Sequence, residues 1–306
     1  MKQTPITLEE FTGSVLAVPP LARHSDLSVN DAANRQLIQH IEAGGIRTLL
    51  YGGNANLYHM PLREYGPMLD MLADAAGPDT RVIPAVGPDF GKMIEQAQLL
   101  RNSGYQTAMV LPMQGFTTPQ GVADGISRFV DVAAMPVTLY IKSEQYIDLD
   151  TLQALVESNK VLCVKYAVVR PDPGDDPFLQ AMIDRISSRR IVSGMGERPV
   201  LSHLGRFGMA SFTTGSGCIA PRACMALLSA LRRHDVSEAQ RLHGLFLPLE
   251  TLRDSVSLIR VLHDAVTWSG VADMGAQLPL LSPSPPELRG QIEATAKKLL
   301  AADATA

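Results

Sequence analysis

Apolar runs that are typical of strands alternate with segments of helical periodicity from residue 14 to residue 233. Each apolar run spans five to nine residues and is followed by a polar or glycine-rich stretch. Eight such runs predict strands at 14–18, 46–51, 81–86, 107–112, 136–141, 161–169, 190–195 and 209–214. Apolar residues at three- and four-residue spacing predict helices near 29–43, 61–76, 90–103, 119–134, 149–158, 176–188, 197–206 and 220–233.

The alternation of strands and helices predicts a parallel sheet, because two parallel strands need a crossover that a helix usually supplies. Eight repeats within about 220 residues favour a closed barrel over an open sheet. We therefore predict an α/β fold, a (β/α)8 TIM barrel, over residues 1–235.

The remaining residues, 236–306, are helical in pattern. Their apolar residues recur at helical spacing, and SPSPPE at 282–287 predicts a turn. A last helix is predicted near 286–302, beginning at the proline pair. No linker-like composition separates 236–306 from the barrel, so we interpret this segment as a C-terminal helical extension that packs on it.

Composition narrows the functional classes. The chain has 306 residues, a net charge of -4, 46% hydrophobic and 19% charged residues, so it can bury a large core and has no basic excess that would favour nucleic acid. No apolar run is long enough for a transmembrane helix, and MKQTPITLEEF lacks the apolar core of a signal peptide. The three cysteines have no metal-type spacing and predict reduced thiols. These features predict a cytoplasmic protein without nucleic-acid or membrane partners.

Lys165 is the single charged residue in VLCVKYAVV, residues 161–169. Such a run is typical of a strand covered on both faces, where a lysine is rarely buried without a partner. Burial disfavours the ammonium and leaves a neutral amine, which is a nucleophile towards carbonyl groups. The alternative is a lysine whose stem lies on apolar surface while its ammonium reaches water at a strand end.

Functional sites of such barrels lie where the strands end and the following loops begin. Three predicted strands run into glycine-rich stretches, YGGNANLYHM (51–60), SGMGERP (193–199) and TTGSG (213–217). Glycine lets backbone approach a ligand closely, but it also serves tight turns, so these loops alone are weak signals. Tyr140 and Lys165 lie on adjacent predicted strands at the same end, so we expect the two side chains to converge.

The chain resembles the dihydrodipicolinate synthase / N-acetylneuraminate lyase superfamily of class I aldolase-type barrels, over nearly its whole length. The resemblance rests on four stretches. Three are similar to the second, fifth and sixth strands of that family, and one is similar to its seventh and eighth strands together. They are IEAGGIRTLLYGGNANLYHM (41–60), MPVTLY (135–140), VLCVKYA (161–167) and SGMGERPVLSHLGRFGMASFTTGSGCIAP (193–221).

The resemblance implies that Lys165 forms a Schiff base with the ketone of pyruvate or another 2-oxo acid. It implies that Tyr140 shuttles protons, and that no metal or other cofactor is used beyond the covalent imine on Lys165. The family assembles as dimers or tetramers, so a homo-oligomer is expected. The substrate-binding residues that it implies are Gly53, Asn54, Ala55, Gly194, Glu197 and Ser211.

Several positions depart from the family pattern. Asn54 and Ala55 replace the two hydroxyl residues of the carboxylate-binding loop, and Leu57 replaces its glutamate. Gln145 stands where the synthase has the arginine for its second substrate, and LPMQGFTTPQG (111–121) lacks the tyrosine that a neighbouring subunit would supply. We therefore expect no turnover of pyruvate with aspartate semialdehyde.

The fit to the sialic acid lyase is also poor, because Ala167 stands where sugar-acid enzymes often have threonine or serine. Glu197 and Arg198 are candidate contacts to a second substrate, with a solvated helix N-terminus as the alternative. His59 is the histidine nearest to the expected site. The insert RPDPGDDPF (170–178) predicts a rigid loop, with a lid over the site as the alternative.

Together these features predict a lyase, either an aldolase or a dehydratase, that acts on a 2-oxo acid or 2-oxo sugar acid through Lys165. Three alternatives stay open. The chain is a barrel that binds such an acid without turning it over, or an enzyme in which Lys165 only binds an anion, or a genuine synthase despite the missing residues.

Overall fold

The computed structural model describes residues 1–306 and shows a closed barrel of eight parallel strands in sequence order, β1 to β8. Each strand pairs with its neighbours along the chain, and β8 pairs with β1 to close the ring. The predicted (β/α)8 barrel is confirmed. The strands are β1 Leu16–Ala17, β2 Thr48–Tyr51, β3 Arg81–Val86, β4 Ala108–Val110, β5 Val137–Ile141, β6 Val161–Tyr166, β7 Ile191–Ser193 and β8 Ser211–Thr214.

Helices surround the barrel and continue beyond it. The eight barrel helices are α2 Asp31–Ala43, α3 Leu62–Ala75, α4 Phe90–Leu100, α5 Pro119–Ala133, α6 Leu149–Glu157, α7 Pro177–Ile186, α8 Val200–Gly205 and α9 Pro221–Arg232. The short helix α1, Leu8–Thr12, precedes β1 and was not predicted, because it is too short to show a helical period. A capping box stabilises its N-terminus, where the side chains of Thr7 and Glu10 each accept the backbone N–H of the other residue.

Most strands are shorter than their apolar runs, since the ends of the runs turn into loops. The run 161–169 is paired only as far as Tyr166, and Val169 is already 79% exposed. The two-residue β1 is the extreme case. Pro19 and Pro20 follow it closely, and proline has no N–H to donate to a sheet.

The C-terminal segment consists of α10 Val236–Ser255, α11 Leu258–Ser269 and α12 Arg289–Asp303. Its buried residues, such as Phe246, Leu262 and Ile292, belong to the same apolar cluster as the residues of the barrel. Polar contacts also cross this boundary, because Asp303 accepts the backbone N–H of Ala223 at 2.8 Å. The extension therefore shares the core of the barrel. No helix is both long and apolar enough to cross a bilayer.

Parallel pairing brings the carboxyl ends of all eight strands to one rim, which we call the barrel mouth. Side chains alternate between the inside and the outside of the barrel along each strand. A residue therefore reaches the mouth only if it lies near the carboxyl end of its strand and points inward. These two conditions decide which of the predicted site residues meet there.

Candidate active site

Lys165 and Tyr140 lie side by side at the barrel mouth. The two residues are direct partners in the pairing of β5 with β6, so their side chains leave the sheet on the same face. The Lys165 Nζ atom lies 4.0 Å from the centre of the Tyr140 ring. The predicted convergence of these two residues is confirmed.

The environment of Lys165 disfavours the ammonium. The residue is only 7% exposed, and no carboxylate pairs with it. Burial lowers its pKa to about 7, and the positive charges of Lys142 and Arg253 act in the same direction. Near neutral pH a large fraction of Lys165 is therefore an uncharged amine with a free electron pair.

Tyr140 keeps its proton at neutral pH. Burial raises the pKa of its hydroxyl above the ordinary value of a tyrosine, and no hydrogen bond within the chain stabilises the phenolate. The hydroxyl is consequently a neutral donor and acceptor beside the amine. A pair of this kind can bind a carbonyl compound and exchange a proton with it.

Gly194, at the end of β7, provides the space that the stem of Lys165 occupies. A Cβ atom at this position would lie 2.9 Å from Lys165 Cγ and 2.7 Å from the carbonyl oxygen of Tyr166. The backbone N–H of Gly194 donates to that same carbonyl at 2.6 Å. Gly194 therefore makes room for the stem of Lys165, whereas the resemblance had implied a contact between Gly194 and the substrate.

The loop after β2 presents unpaired backbone donors. The N–H groups of Gly53, Asn54 and Ala55 donate to no acceptor within the chain, while those of Asn56 and Leu57 close the turn onto Gly53 and Gly52. Successive free N–H groups of a loop can bind an anion where they point to one centre. The carboxylate-binding role expected for this loop stays a prediction, which the free donors make possible without hydroxyl side chains.

The Asn54 side chain is engaged elsewhere, which corrects one expectation. Its amide nitrogen donates to the carbonyl oxygen of Val18 at 2.9 Å, so it braces the loop against the end of β1. Asn56, the next residue but one, has a φ of 56° and occupies the left-handed region that asparagine tolerates better than most residues.

Two further residues do not reach the mouth. Ser211 begins β8, is fully buried, and donates its hydroxyl to the carbonyl oxygen of Ser14 at 2.8 Å. Glu197 is also fully buried and accepts from the hydroxyl of Thr214 and the thiol of Cys224. The solvated helix N-terminus considered for Glu197 is therefore wrong, and neither side chain is accessible to a substrate in this structure.

Glu197 is nevertheless an unusual acid. Burial raises its pKa to about 8, with a further contribution from the charge of Glu250, so the group is mostly uncharged at neutral pH. Its Oε2 atom has no hydrogen-bond partner. Arg198, its neighbour, forms an exposed ion pair with Asp254 instead of facing the mouth.

The insert at 170–178 is held down at both ends. Arg170 pairs with Glu144 on the preceding loop and with Asp176 at 2.9 Å. Asp176 also accepts the Tyr166 hydroxyl at 2.6 Å, and its carboxylate caps α7. These contacts favour the rigid loop over the lid.

Two cationic residues near Lys165 were not found from the sequence. Lys142 lies two residues beyond Tyr140, and strand alternation could have placed it on the same face. Arg253 lies on α10, where nothing in its own sequence context indicates that it reaches the mouth. By contrast, His59 is exposed and lines a surface cavity with residues such as Asp26 and Leu280.

The positions at which the synthase has its distinguishing residues carry other side chains here. Gln145 is exposed and accepts the hydroxyl of Ser143 at 2.6 Å, and Leu57 is buried in the core. Phe116, in the segment without a tyrosine, is 89% exposed.

No group of three or more histidine, cysteine, aspartate or glutamate residues is arranged to hold a metal ion. The three cysteines are free and buried.

Comparison with known proteins gives consistent matches over nearly the whole chain. Residues 11–299 match the model of the dihydrodipicolinate synthetase family. A 4-hydroxy-tetrahydrodipicolinate synthase of Bradyrhizobium diazoefficiens is 24% identical over 293 residues, which cover 90% of this chain and 93% of that protein.

Solved structures share the fold. Dihydrodipicolinate synthase from Bacillus clausii superposes with a TM-score of 0.82 at 19% identity, covering 96% of this chain and 98% of that one. YagE, a prophage protein of Escherichia coli K12 solved in complex with pyruvate, superposes with a TM-score of 0.80 at 18% identity, covering 94% and 98%.

Proposed function

Because this chain belongs to the dihydrodipicolinate synthetase family, we propose that it is a lyase that forms a Schiff base between Lys165 and a 2-oxo acid. The observation that carries this proposal is the position of Lys165 at the barrel mouth, buried, without a carboxylate and in register with Tyr140. The structure of YagE, a relative of similar fold, contains pyruvate, which supports a 2-oxo acid as the substrate class.

The chemistry begins with the uncharged amine. Its electron pair attacks C2 of the 2-oxo acid, the ketone oxygen leaves as water after protonation, and an iminium ion remains on Lys165. The positive nitrogen then accepts the electron pair released when a proton or a carbon substituent leaves C3. The product of this step is an enamine, and a proton added at its C3 restores the iminium ion. Water then hydrolyses this iminium ion, which releases the 2-oxo acid, returns the lysine and completes the cycle.

The substrate carboxylate belongs on the loop after β2 in this proposal. The free N–H groups of Gly53, Asn54 and Ala55 can donate to it without any charged side chain. This loop lies on β2, and Lys165 lies on β6, on the opposite side of the ring. A bound 2-oxo acid would thus bridge the mouth with its ketone towards the amine.

Tyr140 is the proposed acid and base. Its protonated hydroxyl lies beside the amine, so it can give a proton to the departing oxygen and take one back later. No other tyrosine is a direct strand partner of Lys165. Glu197, although it holds a proton near neutral pH, is sealed in the core and takes no part.

The second substrate differs from that of the synthase in this proposal. The exposed Gln145 replaces the arginine, and Leu57 replaces the glutamate of the loop.

Assembly into a homo-oligomer is also proposed, because Phe90 and Phe116 expose apolar surface beside a cavity of about 560 Å³. An aldol cleavage and a dehydration both begin with the same imine.

Hydrogen exchange at C3 of pyruvate in D2O tests the proposed function, since only the imine makes these hydrogens acidic enough. The uncharged amine is the reactive form, so the exchange rate should rise about tenfold per pH unit below about pH 7 and level off above it. Proton NMR measures this directly. A barrel that only binds the acid, or uses Lys165 as an anion site, gives no exchange above the rate of pyruvate alone at any pH.

Replacing Tyr140 by phenylalanine should separate binding from proton transfer. We expect Tyr140→Phe to slow exchange by about 10²- to 10⁴-fold, because the acid and base is lost, while borohydride still reduces an imine on Lys165 after long incubation. Tyr146→Phe is the matched control, since Tyr146 lines the surface cavity near Phe116. Equal rates in both variants would remove Tyr140 from the mechanism.

A further inference from the structure

Arg253 extends from the C-terminal extension to the barrel mouth. It lies near the end of α10, and its guanidinium covers Gly215, the residue that follows β8. A Cβ atom at Gly215 would lie 2.8 Å from the central carbon and from both terminal nitrogens of this guanidinium. A side chain at this position would have to displace the guanidinium, so Gly215 leaves open the space in which Arg253 lies.

Two of the three guanidinium nitrogens of Arg253 donate hydrogen bonds within the chain. Its Nη1 atom donates to Glu250 at 2.6 Å, and its Nε atom donates to the carbonyl oxygen of Leu258 at 3.3 Å. Glu250 is itself held by the hydroxyl of Ser216 at 2.9 Å. Arg253 is 5% exposed, yet its Nη2 atom has no partner in the chain and is not sealed from solvent.

The surrounding charges favour one more anion. Lys142 is exposed on the Tyr140 side, with its Nζ atom 5.9 Å from the centre of that ring, and it forms no ion pair. Glu250 is the carboxylate that pairs with Arg253, while Glu197 is mostly uncharged at neutral pH. Lys142 and Arg253 both lie close enough to Lys165 to lower its pKa, and Glu250 pairs with only one of them, so the charges around the amine favour an anionic group on the substrate.

The two sites that can donate hydrogen bonds to a carboxylate, the loop after β2 and Arg253, lie on the same barrel rim as Lys165. The free N–H groups follow β2, Lys165 is on β6, and Arg253 covers the end of β8. A 2-oxo acid attached at its C2 atom to Lys165, with its first carboxylate on the loop after β2, leaves its far end for the remaining strands. The positive charge of Arg253 lowers the pKa of Lys165, so the guanidinium lies within electrostatic range of the amine.

We propose that Arg253 binds a second carboxylate at the far end of the substrate, so that the preferred substrates are dicarboxylic 2-oxo acids. This inference rests on the proposed Schiff-base function and names its substrate class. The donor is the free Nη2 atom, positioned by Glu250 and Leu258, and Arg253 is thus a specificity-determining residue supplied by the extension.

The test compares acids with neutral partners of the same length. Borohydride trapping is measured with 2-oxoglutarate and with 2-oxoadipate, each against the methyl ester of its distal carboxylate. We expect at least one acid to be trapped about tenfold or more efficiently than its ester, because a hydrogen bond to a charged group is lost in the ester. Pyruvate serves as the reference for imine formation.

The ratio of acid to ester is then measured in two variants. Arg253→Met should bring the ratio to about one. Since this change leaves Glu250 buried without its partner, the double variant Glu250→Gln/Arg253→Met removes both charges and protects against a trivial loss of folding. A merely structural role of Arg253 would lower all adducts together and leave the ratio unchanged.

Each outcome is decisive. A normal pyruvate adduct without preference for either acid over its ester would overturn this inference and leave the proposed function intact. A preference that persists in both variants would assign the second carboxylate to another residue and remove Arg253 from this role. Absence of every adduct, including that of pyruvate, would instead contradict the proposed function itself.

Discussion

Lys165→Met should abolish C3 exchange and at the same time stabilise the protein. The first effect follows because the variant has no nucleophile, so we expect a loss of at least about 10³-fold. The second follows from the environment of the amine, which is buried and has no carboxylate partner. Methionine fills a similar space without a group that must be desolvated.

The size of the stabilisation depends on pH. Burial lowers the pKa of Lys165 from 10.5 to about 7, so between these values the unfolded chain binds a proton that the folded chain does not. The free energy of unfolding of the native protein therefore rises with pH in this window, and the cost of the lysine is complete below about pH 7. That cost is on the order of 5 kcal/mol as an upper bound.

Denaturant unfolding at several pH values measures this effect. The difference between Lys165→Met and the native protein should be largest below about pH 7 and should shrink towards 10.5. Lys298→Met is the matched control, because Lys298 is exposed on α12 and should leave both stability and exchange nearly unchanged. A destabilised Lys165→Met variant would mean that the ammonium is favourably solvated or paired.

Gly194→Ala should inactivate the protein although it adds a single methyl group. The new Cβ atom would lie 2.9 Å from Lys165 Cγ and 2.7 Å from the Tyr166 carbonyl oxygen. The carbonyl belongs to β6 and cannot move freely, so the lysine stem must shift. A displacement of about 1 Å at the nucleophile costs on the order of 10²-fold in rate.

Gly205→Ala is the control for this prediction. Gly205 ends α8, the helix that follows the same strand, and a Cβ atom there meets nothing within 4 Å. Exchange should therefore fall in Gly194→Ala and persist in Gly205→Ala, as measured by the same NMR assay. Full activity of Gly194→Ala would show that the position of Lys165 is less constrained than its contacts indicate.

The sequence predicts the barrel and its central pair because both depend on local patterns. Eight apolar runs separated by helical periods determine the topology, and Tyr140 and Lys165 occupy matching places on consecutive strands. Parallel pairing then brings them together without further information. The resemblance to the family named the same two residues.

The remaining site depends on packing that the sequence does not encode locally. Arg253 reaches the mouth because α10 packs against the segment that follows β8, which no pattern in residues 236–306 indicates. Ser211 was misassigned because it lies at the first position of β8, far from the carboxyl end. Glu197 was misassigned because its side chain turns into the core towards Thr214. The length of β8 decides the case of Ser211, and the packing of the loop after β7 and of α10 decides the cases of Glu197 and Arg253; both are known only from the fold.

Borohydride reduction in the presence of pyruvate, followed by intact-mass and peptide mass spectrometry, shows whether Lys165 is the nucleophile. We expect one reduced pyruvate adduct per chain, located on Lys165 and lost in Lys165→Ala. Absence of an adduct with pyruvate and with longer 2-oxo acids, or an adduct on another lysine, would contradict the claim that the lysine within VLCVKYAVV is the nucleophile.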